Sequence, residues 1–458
     1  MNSHAQIGII GLGAMGQGLA LNIAEKGYRI SVFNRHLDGV EENVAQDFMA
    51  KTEHRETMAG FDELDSFVQS LAAPRKILLL VSAGAAVDEV IKNLTPLLKV
   101  GDLIIDGGNS HYQDTEQRLQ DLESMNIDYL GAGISGGSDG ARQGPAIMVG
   151  GTGYKKVSDL LCSITAKDKS GKACCSYIGA GSAGHYVKMV HNGIEYAEMQ
   201  LLAEVYQLLR YYCQINPDEI SSIFNAWQET DLASYLLRIT AEILAQMDGD
   251  EPFIDKVLDN AGQKGTGSWS VASAMDLGVP SSTISEALMA RYLSGMKDER
   301  IIAEKKYDLL QKTFSGNKQK FINSIRDGYR GARIINHAIG FHLLREARST
   351  HEWQAGLSEI ARIWTTGCII QSQLMVELVV ILESDNNVLL HDEIIGHLQS
   401  STSALKQLVA AGLDAGYPLP VFSAALNYYL GYTQGQSPAN LIQAQRYHFG
   451  SHPFERID

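Results

Sequence analysis

The sequence predicts an α/β domain over residues 1–180, a large all-α domain over 181–430 and a C-terminal tail over 431–458. Three observations lead to that division. At 458 residues the chain is too long for one compact core. In the first part, short apolar runs alternate with polar, helix-compatible segments, the pattern of a mostly parallel sheet with helices on both faces. Past the glycine-rich stretch 179–184 (GAGSAG), strand alternation gives way to helix-period sequence.

The expected strands are Gln6–Ile10, Arg29–Phe33, Lys76–Val81, Leu103–Asp106, Tyr129–Ile134 and Ile147–Gly150, with helices over Gly16–Lys26 and Thr115–Asn126. In the second part, Ile194–Tyr212 and Leu232–Met247 carry helical periodicity. Pro217, Pro252 and Pro280 fall where helices begin or loops run. The last stretch, Gly431–Asp458, mixes Gly, Pro, His and Arg with weaker periodicity and reads as a tail.

Apolar residues make up 45% and charged residues 20%, an ordinary globular balance. A net charge of −15 argues against a general binder of nucleic acid or anionic membrane, while leaving room for a locally basic pocket. Five cysteines, including adjacent Cys174 and Cys175, form neither a disulfide framework nor zinc-ribbon spacing, so a reducing cytoplasm is expected. The opening MNSHAQIGIIG lacks the pattern of a secretory leader, and no window approaches a membrane-spanning apolar run.

Gly11, Gly13 and Gly16 spell GxGxxG directly after the first strand and at the start of a helix, the Rossmann-type arrangement. Gly11 permits the tight turn, Gly13 lets a pyrophosphate approach the backbone, and Gly16 lets helix and strand pack closely. Free N–H groups at the helix start then bind phosphate. The next strand ends in Asn34-Arg35-His36. A site for NAD usually places Asp or Glu there; Arg35 suits a 2′-phosphate, so NADP is expected. The plain alternative for Arg35 is a solvent-facing turn residue. Gly179, Gly181 and Gly184 repeat the spelling without a second strand after them, and read as a hinge feeding a helix.

In that helix Lys188, His191, Asn192 and Glu195 stand at i, i+3, i+4 and i+7, all on one face. A lysine, an amide and a carboxylate so close to a glycine-rich loop suggest a chemical site; the plain alternative is a solvated charge pair. His191 and Glu195 also imitate the spacing of metal ligands, but no third ligand follows at zincin spacing, so no metal is expected. Asn109 and Ser110 end one strand (IIDGGNSHY), and Ser135, Gly136 and Gly137 end another (GISGGSDGA). Open parallel sheets bind ligands at such strand ends. AGQKGTGSW offers Lys264 and Thr266 among small residues, without Walker A spacing.

Together GLGAMG, NRH, IIDGGNS, ISGGSDGARQGP, GHYVKMVHNGIEY, DNAGQKGTGSW, KDER, GCIIQS and LIQAQRYHFGSH resemble the 6-phosphogluconate dehydrogenase family, within the β-hydroxyacid dehydrogenases, nearly end to end. The resemblance implies oxidative decarboxylation of 6-phospho-D-gluconate to D-ribulose 5-phosphate with reduction of NADP, in the pentose phosphate pathway or in gluconate utilisation. It implies Lys188 as general base and Glu195 as general acid. It implies that Asn109, Ser135, Gly136, Gly137, His191 and Asn192 hold the sugar acid, and that Tyr196, Lys264, Thr266, Arg291, Arg446 and His452 hold its phosphate. For the cofactor it implies Gly11, Leu12, Gly13, Ala14, Met15, Gly16, Asn34, Arg35, His36, Val81, Ser82, Ala83 and Asn109. The implied molecule is a cytoplasmic homodimer without metal, nucleic acid or membrane, each tail entering its partner's site.

The chain departs from the family pattern where His36 replaces threonine, Ser82 replaces lysine, and Ser138-Asp139 replace two glutamates, all expected near the cofactor. Two other readings stand beside this one. A dehydrogenase of a related unphosphorylated hydroxy acid would have no use for Lys264, Arg291, Arg446 and His452. A non-catalytic NADP-binding protein of the same fold would have no use for Lys188 and Glu195.

Overall fold

The computed structural model describes residues 4–263, 265–384 and 387–458. Eight strands form one sheet: β1 (Ile7–Ile10), β2 (Ile30–Phe33), β3 (Met58–Phe61), β4 (Lys76–Leu79), β5 (Leu103–Asp106), β6 (Asp128–Ser135), β7 (Ala146–Gly151) and β8 (Cys175–Gly179). Their order is β3-β2-β1-β4-β5-β6-β7-β8. The first six run parallel. β7 turns back antiparallel to β6, with Leu130 opposite Gly151 and Ser135 opposite Ala146, and β8 runs parallel to β7. Strand order reverses between β1 and β4, and a crevice opens there at the carboxyl ends, as in doubly wound sheets. IGII of β1 and LIID of β5 are unbroken apolar or buried runs because both faces of the sheet are covered. The periodicity did not mark β3, whose sequence MAGF is short, half-exposed and at the sheet edge.

Helix α1 (Ala14–Glu25) follows the first glycine turn; α2 (Tyr112–Glu123) follows β5 and α3 (Gly137–Gln143) follows β6. From Ala183 onward the described residues form helices and their connections, apart from a small hairpin pairing Met247–Asp248 with Glu251–Pro252. Its centre is α4 (Ala183–Gln207), against which pack α5 (Thr266–Asp276), α6 (Ser282–Gly295) and α7 (Lys318–Thr350). Buried residues occupy all sides of α4, as expected for a helix in the middle of a core. The helix Pro217–Gln228 starts at Pro217, with Asn216 and Glu219 forming a capping box.

α4 also lies directly on β6 and β7, and small residues make that approach feasible. A Cβ added at Gly133 would stand 2.8 Å from the Gly184 carbonyl oxygen and collide with the Lys188 side chain. Gly184 in turn faces the carbonyls of Gly131 and Met148. The helix that carries Lys188 and Glu195 is therefore seated on the sheet, not merely attached to it.

After α8 (Pro420–Tyr432), the stretch read as a tail contains a helix, α9 (Ala439–Gly450), with no buried residue. Its weak periodicity reflects the absence of a core face within the subunit. Among the described residues, no helix is long and apolar enough to cross a membrane, and Cys162, Cys174, Cys175, Cys213 and Cys368 are free thiols.

Candidate active site

The crevice beyond β1, β2 and β4 encloses about 700 Å³ and is lined by Gly11, Leu12, Gly13, Asn34, Arg35 and His36, together with Val81 and Ser82. The three glycines take the parts the spacing assigned to them. Gly11 has φ +97°, and a Cβ there would meet the Leu80 carbonyl at 2.5 Å. A Cβ on Gly16 would run into the Gly11 carbonyl, whereas one on Gly13 would meet nothing within 4 Å. Gly13 therefore presents open backbone, and the turn fits a dinucleotide pyrophosphate. Asn34 braces the turn: its Oδ1 accepts from the Leu12 N–H at 3.0 Å. Its Nδ2 donates to Glu41 Oε2 at 2.9 Å. Arg35 also rests on Glu41, at 3.3 Å, and His36 lies 2.9 Å from Asp38. Ala14 and Met15 continue from the turn into α1. Ala83 is exposed beside Ser82. Ser138 opens α3, whose backbone approaches α1 at Gly18, while Asp139 lines a separate groove with Tyr235 and Arg238.

On α4, Lys188 and Asn192 are buried and Glu195 keeps 20% of its side chain exposed. His191 is fully buried; its Nε2 is 3.1 Å from Ser135 Oγ, its Nδ1 3.1 Å from Asn192 Oδ1 and 3.6 Å from Glu195 Oε2. The structure thus joins the end of β6 to the helix face through Ser135 and His191. Burial pushes the Lys188 ammonium below the usual lysine range, opposed by the Glu195 carboxylate. Burial pushes the Glu195 carboxyl above its ordinary range, opposed by Lys188 and Arg291. His191 is held well below its ordinary value by burial and then by Lys188, so its imidazole is neutral. Among the described residues no cluster of three or more His, Cys, Asp or Glu forms around His191 and Glu195, or elsewhere.

Arg291 on α6 reaches this face and lies over the Tyr196 ring, 3.5 Å from its centroid, while donating to the Gly262 carbonyl at 3.0 Å. Thr266 begins α5 and is buried close by the ring, since a Cβ on the next residue, Gly267, would meet Tyr196. Lys264 lies outside the described residues. Gly136 and Gly137 take φ +130° and +65° at the start of α3, and a Cβ on Gly136 would meet the Gly367 carbonyl at 2.6 Å. Asn109 stands exposed at the end of the β5 loop. Arg446 and His452 are not brought to the site of their own subunit. Arg446 donates to Gln443 within α9, and among the described residues no hydrogen bond or ion pair joins 435–458 to the rest of the chain.

Several supporting residues were not marked by the sequence pattern. Asp106, at the end of β5, accepts from Ser110 Oγ at 2.6 Å, Gly108 N–H at 3.1 Å and Tyr129 OH at 2.9 Å, and faces Arg118 at 3.4 Å. That buried network fixes the loop carrying Asn109; its one visible sign was a lone acid ending an apolar strand. Cys368, fully buried, donates to the Trp364 carbonyl at 3.1 Å and stands close enough to Lys188 that each shifts the other, its thiol pushed up by burial. Glu116 of α2 accepts from the Ser182 N–H at 3.0 Å, so the second glycine-rich turn already carries a carboxylate at the start of α4.

Comparison with known proteins gives the family of the chain. Residues 6–179 match the family model described as the NAD binding domain of 6-phosphogluconate dehydrogenase, and residues 184–458 match its C-terminal domain. A decarboxylating 6-phosphogluconate dehydrogenase of Staphylococcus epidermidis is 44% identical, covering 99% of this chain and 97% of that protein. One of Lactococcus lactis is 42% identical, covering 100% and 97%. In three dimensions the chain is similar to Plasmodium falciparum 6-phosphogluconate dehydrogenase, described in its apo form and in complexes with NADP+ and with 6-phosphogluconate. That similarity has a TM-score of 0.93 at 36% identity, over 99% of this chain and 98% of the other. With both halves matched and relatives aligned end to end, the chain belongs to the 6-phosphogluconate dehydrogenase family.

Proposed function

We propose that the protein oxidises and decarboxylates 6-phospho-D-gluconate to D-ribulose 5-phosphate and carbon dioxide, reducing NADP. The observation that carries this reading is the pair Lys188 and Glu195 on one face of α4, with burial lowering the base and raising the acid. Neutral Lys188 accepts the proton of the carbon 3 hydroxyl. NADP, held along the glycine turn by Gly11, Gly13 and Asn34, supplies a hydride acceptor at carbon 3. The product is a ketone β to the carboxylate, so loss of carbon dioxide leaves a carbanion delocalised as an enolate. Lys188 returns its proton to that oxygen, giving the enediol. Glu195 then protonates the carbon that becomes carbon 1 of the pentulose while Lys188 takes the hydroxyl proton back, which leaves the ketone. Neutral His191, Ser135 and Asn192 offer hydrogen bonds to the hydroxyls without adding charge beside the base. Arg291, freed from Tyr196 and Gly262, binds the phosphate with Thr266 and Lys264.

The active form is a cytoplasmic homodimer in which Arg446 and His452 complete the partner's phosphate site. Support comes from the exposed apolar residues Leu441, Ile442, Tyr447 and Phe449 of α9, which have no core to enter within one subunit. Free thiols throughout fit a reducing compartment. Lys188→Met tests the reaction directly. Substrate-dependent NADPH formation should fall by ~10²–10⁴-fold or more, and near-normal turnover in that variant would overturn the assignment.

A further inference from the structure

The loop after β2 pairs its arginine with a carboxylate of the same loop. Glu41 is locked beside Arg35 by a paired backbone bridge, Leu37 N–H to Glu41 O at 2.9 Å and Glu41 N–H to Leu37 O at 2.8 Å. Its carboxylate takes three hydrogen bonds: from Asn34 Nδ2 at 2.9 Å, Arg35 Nε at 3.4 Å and Arg35 Nη2 at 3.3 Å. Asn34 is the residue that braces the glycine turn, so the chain Leu12–Asn34–Glu41–Arg35 is continuous from the pyrophosphate end to the discriminating cation. The imidazole of His36, the next residue of the loop, faces Asp38. Asp62, Glu63 and Glu89 line the same crevice, which therefore carries more carboxylates than cations.

We infer that Glu41 sets the enzyme's selectivity between NADP and NAD by competing with the 2′-phosphate for Arg35. This rests on the reading of the crevice as the cofactor site. A phosphate entering beside Arg35 must share the guanidinium with a carboxylate that already occupies one edge of its fork, and it is repelled by the same charge. A bare ribose hydroxyl meets neither cost, and finds in Glu41 the kind of acceptor that NAD sites place near the end of this strand. The sequence at the strand end, Asn34-Arg35, suits NADP; the carboxylate six residues later weakens that preference, so NAD is used alongside it. The Arg35–Glu41 pair is partly exposed, at 58% and 34% of its side chains, which leaves the guanidinium free to exchange partners as cofactor binds.

The test compares the unaltered enzyme, Glu41→Gln, Arg35→Gln and the double variant. kcat/KM is measured for NADP and for NAD, and affinity for 2′,5′-ADP and 5′-AMP by calorimetry. Glutamine keeps an oxygen for Asn34, so the loop retains its brace. Glu41→Gln should raise the NADP:NAD ratio about tenfold, mainly through tighter NADP and 2′,5′-ADP, and by less as salt is added. With Arg35→Gln already present, the same substitution should change the ratio much less. An unchanged or lower ratio in Glu41→Gln overturns the inference, as does an equal change for both cofactors, which would make Glu41 a brace for Asn34 alone. Failure of the unaltered protein to bind either nucleotide would remove the crevice as cofactor site, a result distinct from any change in ratio, and the inference with it.

Discussion

Alanine at Gly133 probes how the sheet positions Lys188, the proposed base. The added methyl would approach the Gly184 carbonyl oxygen to 2.8 Å and Lys188 Cγ to 3.1 Å. Its nearest neighbour is Lys188 Cβ, far inside the ~3.5–4.0 Å of a comfortable non-bonded contact, so β6 and α4 must separate by roughly 1 Å or more. Overpacking of this kind costs ~1–3 kcal/mol, a loss of a few degrees in melting temperature for a chain of this size. A displacement near 1 Å at the base costs on the order of 10²-fold in rate. Thermal melts would be run beside steady-state kinetics with 6-phosphogluconate and NADP varied in turn. The expected result is kcat lowered by ~10–10²-fold with NADP affinity unchanged, because the glycine turn lies on other strands. Gly13→Ala is the matched control: its methyl would meet nothing within 4 Å, so stability should hold while NADP affinity falls. A folded Gly133→Ala enzyme with unaltered kcat, or one whose defect lies in NADP binding, would refute the argument that this close contact places Lys188.

Further predictions concern charge and assembly. As the proposed base, Lys188 must be neutral to accept a proton, so oxidation should fail as pH drops through its pKa; Glu195 raises that pKa. In Glu195→Gln the acid limb of the oxidation step should therefore move to lower pH, and an unmoved limb would uncouple the two groups. Lys188→Met and Arg446→Ala subunits, each nearly inactive alone, should recover roughly half the wild-type activity per dimer when reassembled together, because one site then combines an intact lysine with an intact arginine. Mixed dimers without activity would exclude a tail acting in trans. Glu204, fully buried on α4, has its carboxyl raised by burial from 4.5 to about 7 while accepting the first N–H groups of α8 from Val421 and Phe422. A raised folded pKa gives stability present below the unfolded value and lost as pH climbs through the folded one. On the order of 3 kcal/mol should thus disappear between pH ~4.5 and ~7, and a Glu204→Gln protein should show a flatter melting profile over that window.

What was legible in the sequence had local causes. Gly11, Gly13 and Gly16 are spaced by backbone sterics within one turn, so their separate parts could be assigned before any coordinates. Lys188, His191, Asn192 and Glu195 share a face because helix geometry alone puts them there. The partners that give those residues their chemistry come from far along the chain. Cys368 stands beside Lys188 across 180 positions, Ser135 reaches His191 across 56, and Asp106 gathers Ser110, Tyr129 and Arg118 from different elements. No periodicity encodes such contacts. Arg35 shows the difference most clearly: its position at the end of β2 was readable, but the carboxylate of Glu41 resting on it was not. The helix α9 was hidden for the opposite reason, since its apolar residues have no partner inside the subunit to impose a one-sided pattern.

The contact between Glu116 and Ser182 bears on how many addresses a phosphate finds in this molecule. Two turns share the spelling GxGxxG, and each feeds a helix whose first N–H groups attract anions. At the first, Gly13 leaves them bare. At the second, Glu116 supplies the anion from within the chain, so a pyrophosphate arriving there would meet like charge. The same carboxylate damps the positive end of α4. Glu116 thus keeps the second turn from competing for the cofactor.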